Sequence, residues 1–179
     1  MELALARRYK RWRHGRGFGI HSPFAYDFIT RTLRERLPYY GYDDIDAARG
    51  CAWSEPLLPA RRLRLLFRIL ARFNPPVVAV VGEPADTVLT ATFTAVRHDI
   101  KITDDPHDAD FIIVNGDTDF SIDREKVVVV FPDTRRAGSA ALENIWRQIS
   151  RGMRFDNGCG FSIIVADPKL PRQQFDVRF

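Results

Sequence analysis

The spacing of apolar residues changes character about two fifths of the way along the chain. Upstream they recur every three or four residues. Phe24, Phe28, Ile29 and Leu33 fall on one helical face, and Leu63, Leu66, Phe67 and Leu70 on another. Downstream they gather into runs rich in β-branched residues, over 77–81, 110–114 and 126–131, which suit strands buried on both sides. The pattern predicts helices over 1–13, 24–36, 43–49, 60–73, 86–97 and 138–151, and strands over 77–81, 100–103, 110–114, 126–131, 159–166 and 173–179. Ser22 is placed to cap the second helix with Pro23 as its first residue, since that position needs no N–H. Asp43 is placed to cap the third. Glycines mark a loop over 15–19, prolines and tyrosines a turn over 38–42, and Pro56 and Pro59 a loop over 53–59. The six residues 167–172 are short enough to join the last two strands as an antiparallel hairpin. An α/β domain results, with a helical N-terminal region (1–74) and a sheet core (75–179).

Composition adds limits rather than an activity. The 179 residues suit one domain, and 45% hydrophobic with 28% charged residues is ordinary for a globular protein. The net charge of +4 is too small to demand a nucleic-acid partner. The basic residues are nonetheless unevenly placed. Arg7, Arg8, Lys10, Arg11 and Arg13 cluster near the start, and Arg61, Arg64, Arg68 and Arg72 form a helical stripe that reads first as a solvated face and second as a docking face. Cys51 and Cys159 lack metal-type spacing and read as free thiols in a reducing compartment. No apolar run approaches the roughly 18 residues of a membrane span, and the basic cluster interrupts any leader-like segment, so the expected location is cytoplasmic.

The order of several short motifs resembles one bacterial family. The stretch 19–24 (Gly-Ile-His-Ser-Pro-Phe) followed by a helix is similar to the N-terminal signature of a family of class I S-adenosylmethionine-dependent methyltransferases. Residues 64–68 look like the segment before that family's first strand, 110–117 like its fourth strand, 131–133 like the end of its fifth, and 173–179 like its closing strand. The resemblance implies a three-layer Rossmann-like fold, mostly parallel, with a C-terminal antiparallel hairpin. It also implies a donor site after the first strand, at Gly82 and Glu83, with Asp104 or Asp105 toward the ribose and Asn115 at the neighbouring strand end. Asp133 and His21 are the candidate catalytic groups. Asp117 and Asp133 are the candidate ligands for a hard cation such as Mg²⁺.

The family pattern also exposes what is missing. Val80 stands where such enzymes carry an acidic residue at the end of the first strand. Gly82 remains, but Pro84 removes a backbone donor and Asp86 falls near the second glycine of the turn. Only six residues separate Thr103 from Asp110, where a parallel crossover takes a dozen or more. The family would place a helix, a strand and a second helix there. The expectation is a trimmed, methyltransferase-like domain that has lost catalysis, with S-adenosylmethionine a doubtful ligand and a protein partner or a second copy of the chain in its place. Two alternatives stand beside it: an active small-molecule O-methyltransferase, and a basic interaction module for nucleic acid or anionic surfaces.

Overall fold

The computed structural model describes residues 19–52 and 58–179. The basic segment 1–13, most of the glycine loop and most of the loop over 53–59 lie outside the described residues.

Helix α1 (Pro23–Phe28) starts as the sequence dictates. Ser22 Oγ accepts a hydrogen bond from the Ala25 N–H at 3.3 Å, and proline occupies the first helical position. The helix then widens into a π-helical turn over Ile29–Leu33 and stops at Arg34, short of the predicted end. The reason lies in another element. Arg68 donates to the carbonyls of Thr32 and Leu33 at 2.8 and 3.1 Å, satisfying acceptors that a further helical turn would otherwise take up. Helix α2 (Gly41–Cys51) begins earlier than expected. Tyr40 occupies the capping position, and Asp43, predicted as the cap, sits with Asp44 inside the first turn, where negative charge favours the helix N-terminus. Gly41 is the residue that permits this start, because a Cβ there would enter the Phe67 ring. Helix α3 (Ala60–Phe73) has the predicted limits and ends on Asn74, whose φ of 45° lies in the left-handed region.

The sheet contains β1 (Val77–Gly82), β2 (Lys101–Thr103), β3 (Phe111–Asn115), β4 (Val127–Phe131), β5 (Gly152–Asp156), β6 (Ser162–Ala166) and β7 (Gln173–Asp176), in the spatial order β2-β1-β3-β4-β6-β5-β7. Helix α4 (Thr87–Val96) connects β1 to β2, and α5 (Thr134–Ala137) and α6 (Ser139–Gln148) connect β4 to β5. Strands β2, β1, β3 and β4 run parallel, and β6 runs antiparallel to both of its neighbours, β4 and β5. This is a reduced Rossmann-like α/β fold.

Two sequence expectations change here. The hairpin exists one strand earlier than predicted: β6 pairs with β5 rather than β7, and β7 pairs in parallel with β5. Strand β5 itself was hidden, because Arg154 and Asp156 interrupt its apolar pattern. Strand β2 is parallel to β1. The brevity of β2 explains how so short a link to β3 suffices. Thr103 lies opposite Ala79, and Phe111 lies opposite Val78. The chain therefore leaves β2 about one residue from the level at which β3 starts. It has to move two strand spacings sideways, about 10 Å, with almost no return along the sheet. A single 3₁₀ turn, Pro106–Asp108, is enough.

Strand alternation sorts the core into two layers. Val78, Val80, Phe111, Ile113, Val130, Phe155 and Ile163 face the side covered by α1, α2, α3 and α4. Ala79, Val81, Ile112, Val114, Val129 and Ile164 face α6. On the first side Phe28 packs edge-on against Phe73 and Phe155 at ring-centroid distances of 5.7 and 5.1 Å. Among the described residues, no helix is long and apolar enough to cross a membrane.

Candidate functional site

In an open parallel sheet, ligands bind beyond the C-terminal strand ends, where successive connections leave toward opposite faces. That point lies between β1 and β3. After Gly82 the chain joins α4, whose Val88, Leu89 and Phe93 sit in the first core layer. After Asn115 it crosses the other face, where Phe120 and Ile122 pack on the second layer.

At that point one side chain bridges the two strand ends. Strand pairing runs one residue past the strand ends, with the Glu83 N–H donating to the Asn115 carbonyl at 2.5 Å. The Asn115 side-chain amide then donates to the Glu83 carbonyl at 2.9 Å and lies 3.5 Å from the Pro84 carbonyl. Gly82, at φ 99°, sits so close to β3 that a Cβ would stand 2.6 Å from the Asn115 carbonyl oxygen. Asn115 is buried, and Gly82 and Glu83 are exposed above it. Three of the four sequence-predicted donor residues, Gly82, Glu83 and Asn115, thus come together, but they bond to one another. The fourth, Asp104, is exposed just past β2, and Asp105 caps the 3₁₀ turn by accepting from the His107 N–H. Asp86, the oddity of the turn, caps α4: its Oδ1 accepts from the Leu89 N–H at 2.6 Å.

Asp133 follows β4 and is built into a different constellation. Its carboxylate pairs with Arg62 of α3 at 2.8 Å and with Arg135 at 3.0 Å, and it accepts from the Arg135 N–H at the start of α5. Arg62 also donates to the carbonyls of Pro132 and Cys159, both at 2.8 Å. One guanidinium therefore joins α3, the end of β4 and the β5–β6 turn. Burial pushes the Asp133 carboxyl upward, but the Arg135 hydrogen bonds and the Arg62 ion pair outweigh it and hold the group below its ordinary value. Both carboxylate oxygens are committed to arginine, so Asp133 is a poor base and a poor cation ligand. Asp117, its proposed companion, lies against Gly138 at the junction of α5 and α6. No cluster of acidic, histidine or cysteine side chains with metal-binding geometry occurs among the described residues. His21 is exposed, one residue before the α1 cap.

Three of the four arginines of the stripe are engaged by the neighbouring helices, and Arg61 is exposed. Arg64 pairs with Asp46 of α2, Arg72 with Asp27 of α1 at 2.8 Å, and Arg68 also donates to the Tyr42 hydroxyl at 3.0 Å. Beside it opens a cavity of about 850 Å³ that the sequence pattern does not announce. Its wall runs from Leu33 to Leu37 after α1, along the first half of α3, past the β5–β6 turn and out to Arg178 and Phe179. The signal is present but scattered, since these arginines lie far apart in sequence. Cys51 and Cys159 are both free and exposed.

Compared with protein-family models, curated proteins and solved structures, the chain finds no match to any of the three.

Proposed function

We propose that this chain is a methyltransferase-like domain that binds rather than catalyses. The observation supporting this reading is the bridge from Asn115 to Glu83 and Pro84, which ties together the strand ends at which the family resemblance implies a methyl donor. A donor seated there needs glycine backbone that it can approach and strand ends that part. Here the strand ends stay paired, the turn residues include Pro84 and Asp86, and the candidate catalytic carboxylate, Asp133, is held by Arg62 and Arg135. The short link from β2 to β3 points the same way, because it leaves no chain from which to build the adenine side of a pocket.

The test is a calorimetric titration of the purified chain with S-adenosylmethionine, alongside thermal unfolding at millimolar ligand. The expected result is no heat of binding and no rise in midpoint. A ligand present at 100 times its Kd adds about 2.7 kcal/mol of stability, so binding in the micromolar range would be plain in both measurements and would overturn the reading.

A further inference from the structure

We propose that the arginine-walled cavity between α3, the residues after α1 and the C-terminal segment binds a small organic molecule carrying linked phosphate groups. This site stands apart from the β1/β3 crevice, and its ligand does not depend on whether that crevice takes a donor.

Charge is the first ground. Seven of the residues lining the cavity are arginines and one, Glu35, is acidic. The chain as a whole carries a net charge of only +4, so this lining is far more basic than the chain's average. Glu35 offsets one of these charges, and its Oε1 accepts from the backbone N–H groups of Arg36 and Leu37, at 2.7 and 2.9 Å.

The second ground is which arginines are spare. Arg62, Arg64 and Arg68 are bound within the protein and serve as wall. Arg36, Arg61 and Arg178 line the same cavity from three separate stretches of the chain and are exposed, and their guanidinium groups have no hydrogen-bond or ion-pair partner among the described residues. Three like charges brought to one cavity repel one another unless an anion joins them. The cavity lining contains no lysine. Guanidinium forks bind carboxylate and phosphate oxygens in pairs, and three forks offer more donors than one carboxylate can accept, which favours linked phosphates.

Shape and polarity decide the size of the ligand. A volume of about 850 Å³ lies within the range of small-molecule sites and exceeds what phosphate groups alone would fill. Leu37, Leu65, Phe161 and Phe179 supply apolar wall for an organic body. A nucleic-acid strand would instead need basic residues along an open track, and here they converge on a hollow.

The experiment is isothermal titration of the full chain with inorganic tripolyphosphate and with ATP, at low and at physiological salt. Both should bind, ATP at least threefold more tightly because the apolar wall adds contact, and both more weakly as salt rises. The double variant Arg61→Ala/Arg178→Ala should lose at least tenfold in affinity with its thermal midpoint unchanged. Arg31→Ala, an exposed arginine outside the cavity, should bind as the parent does. Absence of binding at millimolar concentration of either probe would overturn the proposal, as would equal losses in the double variant and in Arg31→Ala. Affinity for single-stranded oligonucleotides that exceeds that for ATP and grows with length would also overturn it, in favour of a nucleic-acid partner.

Discussion

Arg62 and Asp133 meet at 2.8 Å with side chains only 7% and 12% exposed, and the contact fastens the start of α3 to the end of β4. Neither charge is well solvated, so each depends on the other. Replacing Arg62 with methionine keeps most of the volume but leaves the Asp133 carboxylate buried beside a single, exposed partner, Arg135. It also strips donors from the carbonyls of Pro132 and Cys159. Breaking one side of a buried pair costs about 3–5 kcal/mol, and the surviving Arg135 contact places the expected loss near the low end. Urea unfolding of Arg62→Met against the parent measures it. A loss of under about 1 kcal/mol, the range of an exposed pair, would remove the claim that this contact fastens the two elements.

Acid sensitivity follows from the same pair. The folded-state Asp133 carboxyl is held below its ordinary value, so the folded chain gives up this proton more readily than the unfolded chain does. The stabilisation is complete above the ordinary carboxylate range and is lost as pH falls below about 4, through the lowered folded-state value. Asp133→Asn retains the cap to α5 and removes the titration. Its stability should be lower than the parent's at pH 7 and fall less steeply between pH 5 and 3. Denaturant midpoints across that interval check the slope, and parallel curves for the two proteins would show that Asp133 contributes nothing to it. Asp99 and Asp123, also held below their ordinary values, are exposed and shared by both proteins.

Much of the scaffold was legible because single residues dictate it. Ser22 and Pro23 start α1, and the valine-rich run before Gly82 reads as a strand buried on both sides. The missed strand shows the limit of such reading. In β5, Arg154 and Asp156 alternate with Met153 and Phe155, and charges in a buried strand read as loop. They are tolerated because Arg154 bonds Asp156 at 2.8 Å and Glu143 of α6 at 2.7 Å, while Gln174 of β7 donates to Asp156 at 2.9 Å. Partners 11 and 18 residues away cannot be inferred from a local window. The site divides in the same way. The departures at Pro84 and Asp86 from the family-like turn could be read, whereas the bridge made by Asn115 depends on how β3 registers with β1. The cavity was illegible because Arg36, Arg61 and Arg178 meet only in three dimensions.

Two glycines should respond in opposite directions. Gly82→Ala forces a left-handed φ of 99° on a residue with a Cβ and drives that atom to 2.6 Å from the Asn115 carbonyl oxygen. A residue held in so sparsely populated a conformation costs about 1–3 kcal/mol before the clash is relieved. Gly50, inside α2, has no left-handed φ, and a methyl group added at its Cα would meet nothing within 4 Å. Gly50→Ala should stabilise the chain by about 0.5–1 kcal/mol through helix propensity and lower unfolded-state entropy. Thermal midpoints of the two variants should lie on either side of the parent. Equal behaviour would mean that the close approach of β1 to β3 does not constrain position 82.

Asp86 separates the two roles its position can have. As a cap it bonds the Leu89 N–H of α4, so Asp86→Ala should cost about 1 kcal/mol, while Asp86→Gly should cost only a few tenths because glycine is itself an acceptable capping residue. Asp86→Gly also restores a glycine where a methyltransferase-like turn has one. If aspartate were what blocks a methyl donor, this variant would acquire binding. Asn115 still bridges to Glu83 and Pro84 in it, and β1 and β3 remain paired beyond Gly82. The expected outcome is therefore a small loss in stability and no shift in thermal midpoint with millimolar S-adenosylmethionine. A ligand-dependent rise in Asp86→Gly would transfer the cause of closure from the strand ends to the turn.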